Sequence, residues 1–140
     1  MKIIITENQL KNKVHNLVKE LGWYDTCDTL GITGEELAQK FFNDDPVEFL
    51  NLYTNLTPTN KTSQNIEFIL YKDINDRVII AHDLTTKMVL VDGIIDDILQ
   101  VDFFLSGPSV DNTVKEWIKN NYNIQDFDLG FRSYLWLNEW

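Results

Sequence analysis

The sequence predicts an α+β fold: an N-terminal helical lobe, a small three-stranded antiparallel meander, and C-terminal helices packed on one face of it. Three observations lead there. Residues 66–91 hold three short runs rich in β-branched and aromatic residues, Ile66–Lys72, Arg77–His82 and Met88–Val91. Ile74-Asn75-Asp76 and Leu84-Thr85-Thr86-Lys87 lie between them and suit turns. The segments on either side carry apolar residues at helical spacing, and each such stripe needs a sheet face or a helix to cover it.

A chain of 140 residues fits one domain, 1–140, divided into a helical lobe (1–54), a loop (55–65) and a part holding the sheet and C-terminal helices (66–140). With 44% hydrophobic and 12% aromatic residues it can build an unassisted core. The single cysteine, Cys27, excludes an internal disulfide and is too few for a thiolate zinc site. Met1-Lys2-Ile3-Ile4-Ile5 is far short of a secretion-signal core, and no run reaches the length of a membrane span. The expectation is a soluble cytoplasmic protein needing no cofactor, in which the acceptor patterns at Asn55 and Asn60 carry no glycan.

In chain order, residues 2–5 suit a short edge strand or a lead-in. Thr6 and Gln9 form a capping box for an amphipathic helix carrying Leu10, Val14, Leu17, Val18 and Leu21, ended by Gly22. A second helix runs from Trp23 to Leu30 and stops at Gly31. Thr33 caps a third, with Glu36 completing the box and Leu37, Ala38, Phe41 and Phe42 buried. Asp45 and Pro46 start a fourth. Thr54 to Asn65 is rich in Thr, Asn, Ser and Pro and predicts an exposed, protease-sensitive linker. After the meander, Asp92 caps a helix carrying Ile94, Ile95, Ile98 and Leu99. Asp111 is expected to cap a last helix carrying Val114, Trp117, Ile118 and Tyr122. Alternation from Phe131 to Asn138 gives a final strand, apolar on nearly both faces.

The net charge of −10 is unevenly placed. Glu20, Asp25, Asp28, Glu35, Glu36, Asp44, Asp45 and Glu48 stand against Lys40 alone between residues 20 and 60. Asp92, Asp96, Asp97, Asp102 and Asp111 stand against no base. Such a field repels phosphate backbones, so direct nucleic-acid binding is disfavoured. The second and third helices resemble a helix-turn-helix in outline, but the supposed recognition helix opens on Glu35 and Glu36.

Chemistry has few candidates. His15 lies beside the apolar stripe and is expected in solvent. His82 and Asp83 are neighbours in a strand, so their side chains point to opposite faces. Cys27 has Asp25 and Asp28 nearby, which disfavour a thiolate. Asp92 and Asp96, one turn apart, offer two carboxylates to a hard cation, although helix capping explains them as well. The sequence therefore points away from an enzyme. The C-terminal aromatics carry the most weight for function: Phe131, Arg132, Tyr134, Trp136 and Trp140 either close the core or anchor a partner, since Trp, Tyr and Arg dominate interface energetics.

The opening Lys2-Ile3-Ile4-Ile5-Thr6-Glu7-Asn8-Gln9-Leu10 resembles the start of many small proteins encoded by tailed bacteriophages. The stretch from Gly22-Trp23 through Phe41-Phe42-Asn43-Asp44-Asp45-Pro46 to Leu50 is similar to uncharacterised phage proteins. The resemblance implies a source and a place, host cytoplasm or virion, and no residue roles. The expected function is non-enzymatic: a phage-type protein acting through protein–protein contact or self-association. The alternatives are an acidic inhibitor that mimics nucleic acid, working through residues 35–48 or 92–102, and a metal-dependent hydrolase built on Asp92–Asp102.

Overall fold

A computed structural model describes residues 6–132. The helical boundaries follow from local capping chemistry. Thr6 Oγ1 accepts from the Gln9 amide at 3.2 Å and Gln9 Oε1 accepts from the Thr6 amide at 2.9 Å, opening α1, Glu7–Leu21. Gly22, at φ 84°, turns the chain into α2, Trp23–Leu30, and Gly31, in the left-handed region, ends it. Thr33 accepts from the Glu36 amide at 3.1 Å to start α3, Gly34–Phe41. Its hydroxyl also faces the Glu36 carboxylate at 3.3 Å, in place of the expected return bond to the Thr33 amide. Asp45 Oδ1 accepts from Val47 and Glu48, and Pro46 opens α4, Pro46–Leu50. A single 3-10 turn, Asn51–Tyr53, follows.

The sheet is larger than the three-stranded meander that the sequence predicts. Among the described residues it has five strands in chain order: β1 (Thr57–Ser63), β2 (Ile66–Lys72), β3 (Val78–Asp83), β4 (Met88–Asp92) and β5 (Asp128–Arg132). The α+β class stands, with the meander as the middle of a mixed sheet. The segment expected to be a loop, 55–65, contains β1, which pairs antiparallel with β2 from Thr57↔Lys72 to Ser63↔Ile66. Six of its seven residues are exposed, so no apolar alternation marks it. Backbone pairing with β2 holds it, and Pro58 is tolerated because the strand is an edge. The connecting residues Gln64 and Asn65 both have positive φ, 50° and 65°, the pattern of a two-residue type I′ turn.

Between β4 and β5 the chain makes α5, Gly93–Val101, and α6, Gly107–Tyr122. Asp92 caps α5 as predicted, its Oδ1 accepting from the Ile94 amide at 3.1 Å. The cap of α6 is Ser106 rather than Asp111, with Pro108 in the first turn, so this helix starts more than a turn early. The crossover returns the chain parallel to β4, pairing Leu90 with Gly130 and Val91 with Phe131. The predicted last strand thus begins earlier than Phe131, and Ser133 to Asn138 lie outside the described residues.

One apolar cluster runs from Val14 to Ile124 and joins all six described helices to the sheet through Ile79, Ile80, Val89 and Val91. A register shift between Tyr71 and Lys72 lets the neighbours Ile79 and Ile80 both enter it. At its centre Trp23 packs edge-on against Phe49 at 5.0 Å and beside Phe42 and Phe103 at 5.9 and 6.2 Å. The Tyr122 hydroxyl donates to the Tyr53 carbonyl and ties α6 to the turn after α4.

Candidate functional site

The titratable groups singled out in the sequence are mostly occupied in holding the fold. Asp92 is fully buried, and its Oδ2 accepts from Arg77 Nη2 at 2.8 Å and Nε at 3.2 Å. With Oδ1 on the Ile94 amide, this carboxylate is committed to closing the β3–β4–α5 junction. Asp96 turns to Gln100 Nε2 at 2.7 Å instead of sharing a ligand with Asp92.

His15 is half-buried, contrary to its expected place in solvent. Its ring stacks on Phe42 with centroids 5.2 Å apart and planes 3° from parallel. Position 15 is covered by Phe42, which follows α3, and lies within reach of the Glu48 charge on α4. Burial lowers the His15 pKa; Glu48 opposes that shift and Lys11 adds to it. Nε2 is buried without a hydrogen-bond partner. His82 and Asp83 part to opposite faces, as strand geometry demands. Asp83 Oδ1 instead accepts from the Thr85 and Thr86 amides at 2.8 and 3.1 Å. Burial alone would raise the Asp83 pKa, but these bonds and the Thr86 hydroxyl bring it below the ordinary carboxylate value. Burial lowers His82 in turn, with Asp83 opposing. Cys27 is buried and its thiol is pushed up to about 11, by desolvation first and then by Asp102 and Asp28. A thiol so placed is a poor nucleophile at neutral pH.

The acidic residues are where the structure adds something. Glu35, on the first turn of α3, and Asp102, just past α5, are far apart in sequence and meet around Gly34. A Cβ at Gly34 would lie 2.5 Å from Asp102 Oδ1 and 2.7 Å from both Oδ2 and Trp23 Nε1, so only glycine fits. Burial raises the Asp102 pKa, the Glu35 charge raises it further, and the Trp23 indole opposes. The buried indole N–H thus favours the Asp102 carboxylate, although its geometry falls short of an ordinary hydrogen bond. Asp102 also acts on Cys27 of α2, so α2, α3 and the end of α5 form one corner.

Apolar side chains are exposed on the same segments of the chain. Trp23 and Phe103 pack together inside, while their chain neighbours Tyr24 and Phe104 are 63% and 65% exposed and Val101 is 66% exposed. Phe104 has φ 58°, which is costly for a bulky side chain away from glycine. On the outer side of α3, Glu35, Glu36, Gln39 and Lys40 are exposed, and Leu37, Ala38 and Phe41 are buried. The helix-turn-helix outline therefore presents acids where a DNA reader would present donors. No single stretch signalled this corner, because it joins residues from 24 to 104.

Of the tail residues, Phe131 is half-buried against the main core. Arg132 is exposed, and its Nη1 donates to the Phe131 carbonyl at 3.1 Å. Tyr134, Trp136 and Trp140 lie outside the described residues. Among the described residues no cluster of three His, Cys, Asp or Glu side chains is placed to hold a metal, and no helix is long and apolar enough to cross a membrane. Compared with known proteins, the chain matches no family model, no curated protein and no solved structure.

Proposed function

We propose that this chain works as a binding protein rather than a catalyst, engaging a protein partner in the setting its opening motif suggests, a tailed-phage protein of the host cytoplasm or the virion. The observation that supports this is that Tyr24, Val101 and Phe104 are exposed on the same α2 and α5 segments that carry Asp28 and Asp102, with Glu35 close enough to act on Asp102. Apolar anchors framed by one sign of charge fit a partner that offers apolar side chains ringed by Lys or Arg. The test is capture from host lysate with the intact chain and with a Tyr24→Ser, Phe104→Ser double variant. The variant should keep its circular dichroism spectrum and lose at least ~10-fold in captured partner. Equal capture by both forms would remove the corner from the interface.

A second reading, an acidic inhibitor that imitates nucleic acid, is favoured by one observation. Glu35 and Asp102, one from each acidic stretch, lie close enough for the charge of the first to act on the second. The salt response separates the two. Between about 0.05 and about 0.5 M salt, a mimic's affinity should fall steeply, whereas an interface carried by Tyr24 and Phe104 should change little.

A further inference from the structure

The sheet has two apolar faces, and the helices cover only one. Tyr71, Ile80, Val91 and Phe131 line up across the strands and all pack into the helical core. The next row, Leu70, Ala81, Leu90 and Gly130, lies on the opposite face by strand alternation. With Phe68 and Val78 these side chains form a separate cluster, flanked by Ile66 and Met88, that contains no helix residue. Yet Ala81 is 0% exposed, Leu70 1% and Leu90 6%. Strands stand about 4.8 Å apart, and side chains in a single layer at that spacing shield one another sideways but not from above. A methyl group on such a face is hidden from water only when another layer lies on it.

The chain itself supplies a candidate layer. Leu129 and Phe131 of β5 pack toward the helices, which puts Gly130 on the second face, where a Cβ would come 3.1 Å from Leu90 Cδ2. Residues 133–140 continue from this edge and read Ser-Tyr-Leu-Trp-Leu-Asn-Glu-Trp, with Glu139 the only charged side chain. Eight extended residues reach up to ~29 Å, and four strand spacings take ~19 Å, so the segment is long enough to cross from β5 to β1. Residues 1–5, by contrast, lead into α1, which packs in the helical layer through Val14 and Val18.

We propose that residues 133–140 cover the second face of the sheet within the same molecule, with Tyr134, Trp136 and Trp140 lying over the Leu70–Ala81–Leu90 row. The aromatic tail is then a strap closing a second core, and a partner that bound the tail would have to lift it from this face first.

The test uses the full chain in a Cys27→Ala background with one reporter thiol on each face. Ala81→Cys reports on the second face and Val89→Cys, buried on the helical side, is the control. In the otherwise intact chain both thiols should react with a maleimide at least ~100-fold more slowly than an unfolded control. Replacing Trp136 and Trp140 by Ser should speed labelling of the second-face thiol at least ~10-fold and leave the control thiol unchanged. The milder pair Trp136→Leu and Trp140→Leu should move the second-face thiol in the same direction by less, which keeps the test valid where the Ser pair unfolds the chain and exposes both thiols. Three outcomes overturn the proposal. Rapid labelling of the second-face thiol in the chain with its tail intact would assign the face to an outside partner. Protection that fades on dilution, together with a dimeric solution mass, would assign it to a second copy. Tail variants that leave the second-face thiol protected would assign the cover to another segment.

Discussion

Gly34 is a residue whose helix propensity and surroundings disagree. Glycine within a helix costs about 1 kcal/mol relative to alanine, so Gly34→Ala on an isolated helix would stabilise. Here the added methyl would meet the Asp102 carboxylate and the Trp23 indole at 2.5–2.7 Å. Both belong to packed elements, so the clash should win by ~1–3 kcal/mol, read as a lower midpoint in urea at unchanged slope. His15 has a different character: burial favours its neutral form. Its folded pKa lies below the ordinary value of 6.5 because of burial, with Glu48 opposing and Lys11 adding. The unfolded chain therefore binds more protons as the pH drops past 6.5, and stability falls from there down through the folded pKa. His15→Phe should flatten stability against pH between about 7 and about 5, leaving the share of His82, whose pKa burial also lowers, and toward the acid end an opposite share from Asp102, whose pKa burial raises. An unchanged slope in that variant would clear His15 of the effect.

At the scale of elements, what was legible depended on where the stabilising partner lies. The starts of α1, α3 and α4 could be read because Thr6, Thr33 and Asp45 hydrogen-bond within three residues of themselves, and the ends of α1 and α2 because Gly22 and Gly31 follow them. β1 could not, since its stability comes from the backbone of β2 and its own side chains are wet. The start of β5 was hidden for a related reason: Asp128 and Gly130 are poor strand formers, set in place by Met88 and Leu90 of β4. The corner of Glu35 and Asp102 was invisible as well, since only tertiary packing joins two acidic stretches that the sequence presents as separate. The β1–β2 turn is an element that sequence change should improve. Gln64 holds positive φ at a cost that asparagine lowers, and Asn65 holds it at a small cost that glycine does not incur. Replacing the pair by Asn-Gly should raise stability by ~0.5–1 kcal/mol with no change in the sheet, checked by thermal unfolding.

For the whole molecule, the order of strands in space is the order in the chain, and only the last pairing is parallel. The helical lobe, the meander and the C-terminal helices share one core from Val14 to Ile124, so loosening any of the three exposes the others. That arrangement also sets a sequence in time. The three antiparallel pairings close loops of a few residues and gain contacts as soon as they form, whereas β5 joins β4 only after α5 and α6 have been laid between them. A nascent chain would thus carry β4 as a bare hydrogen-bonding edge until β5 is synthesised. During that interval its amides and carbonyls are open to any extended strand nearby, and a neighbouring copy of the same polypeptide is the nearest supplier.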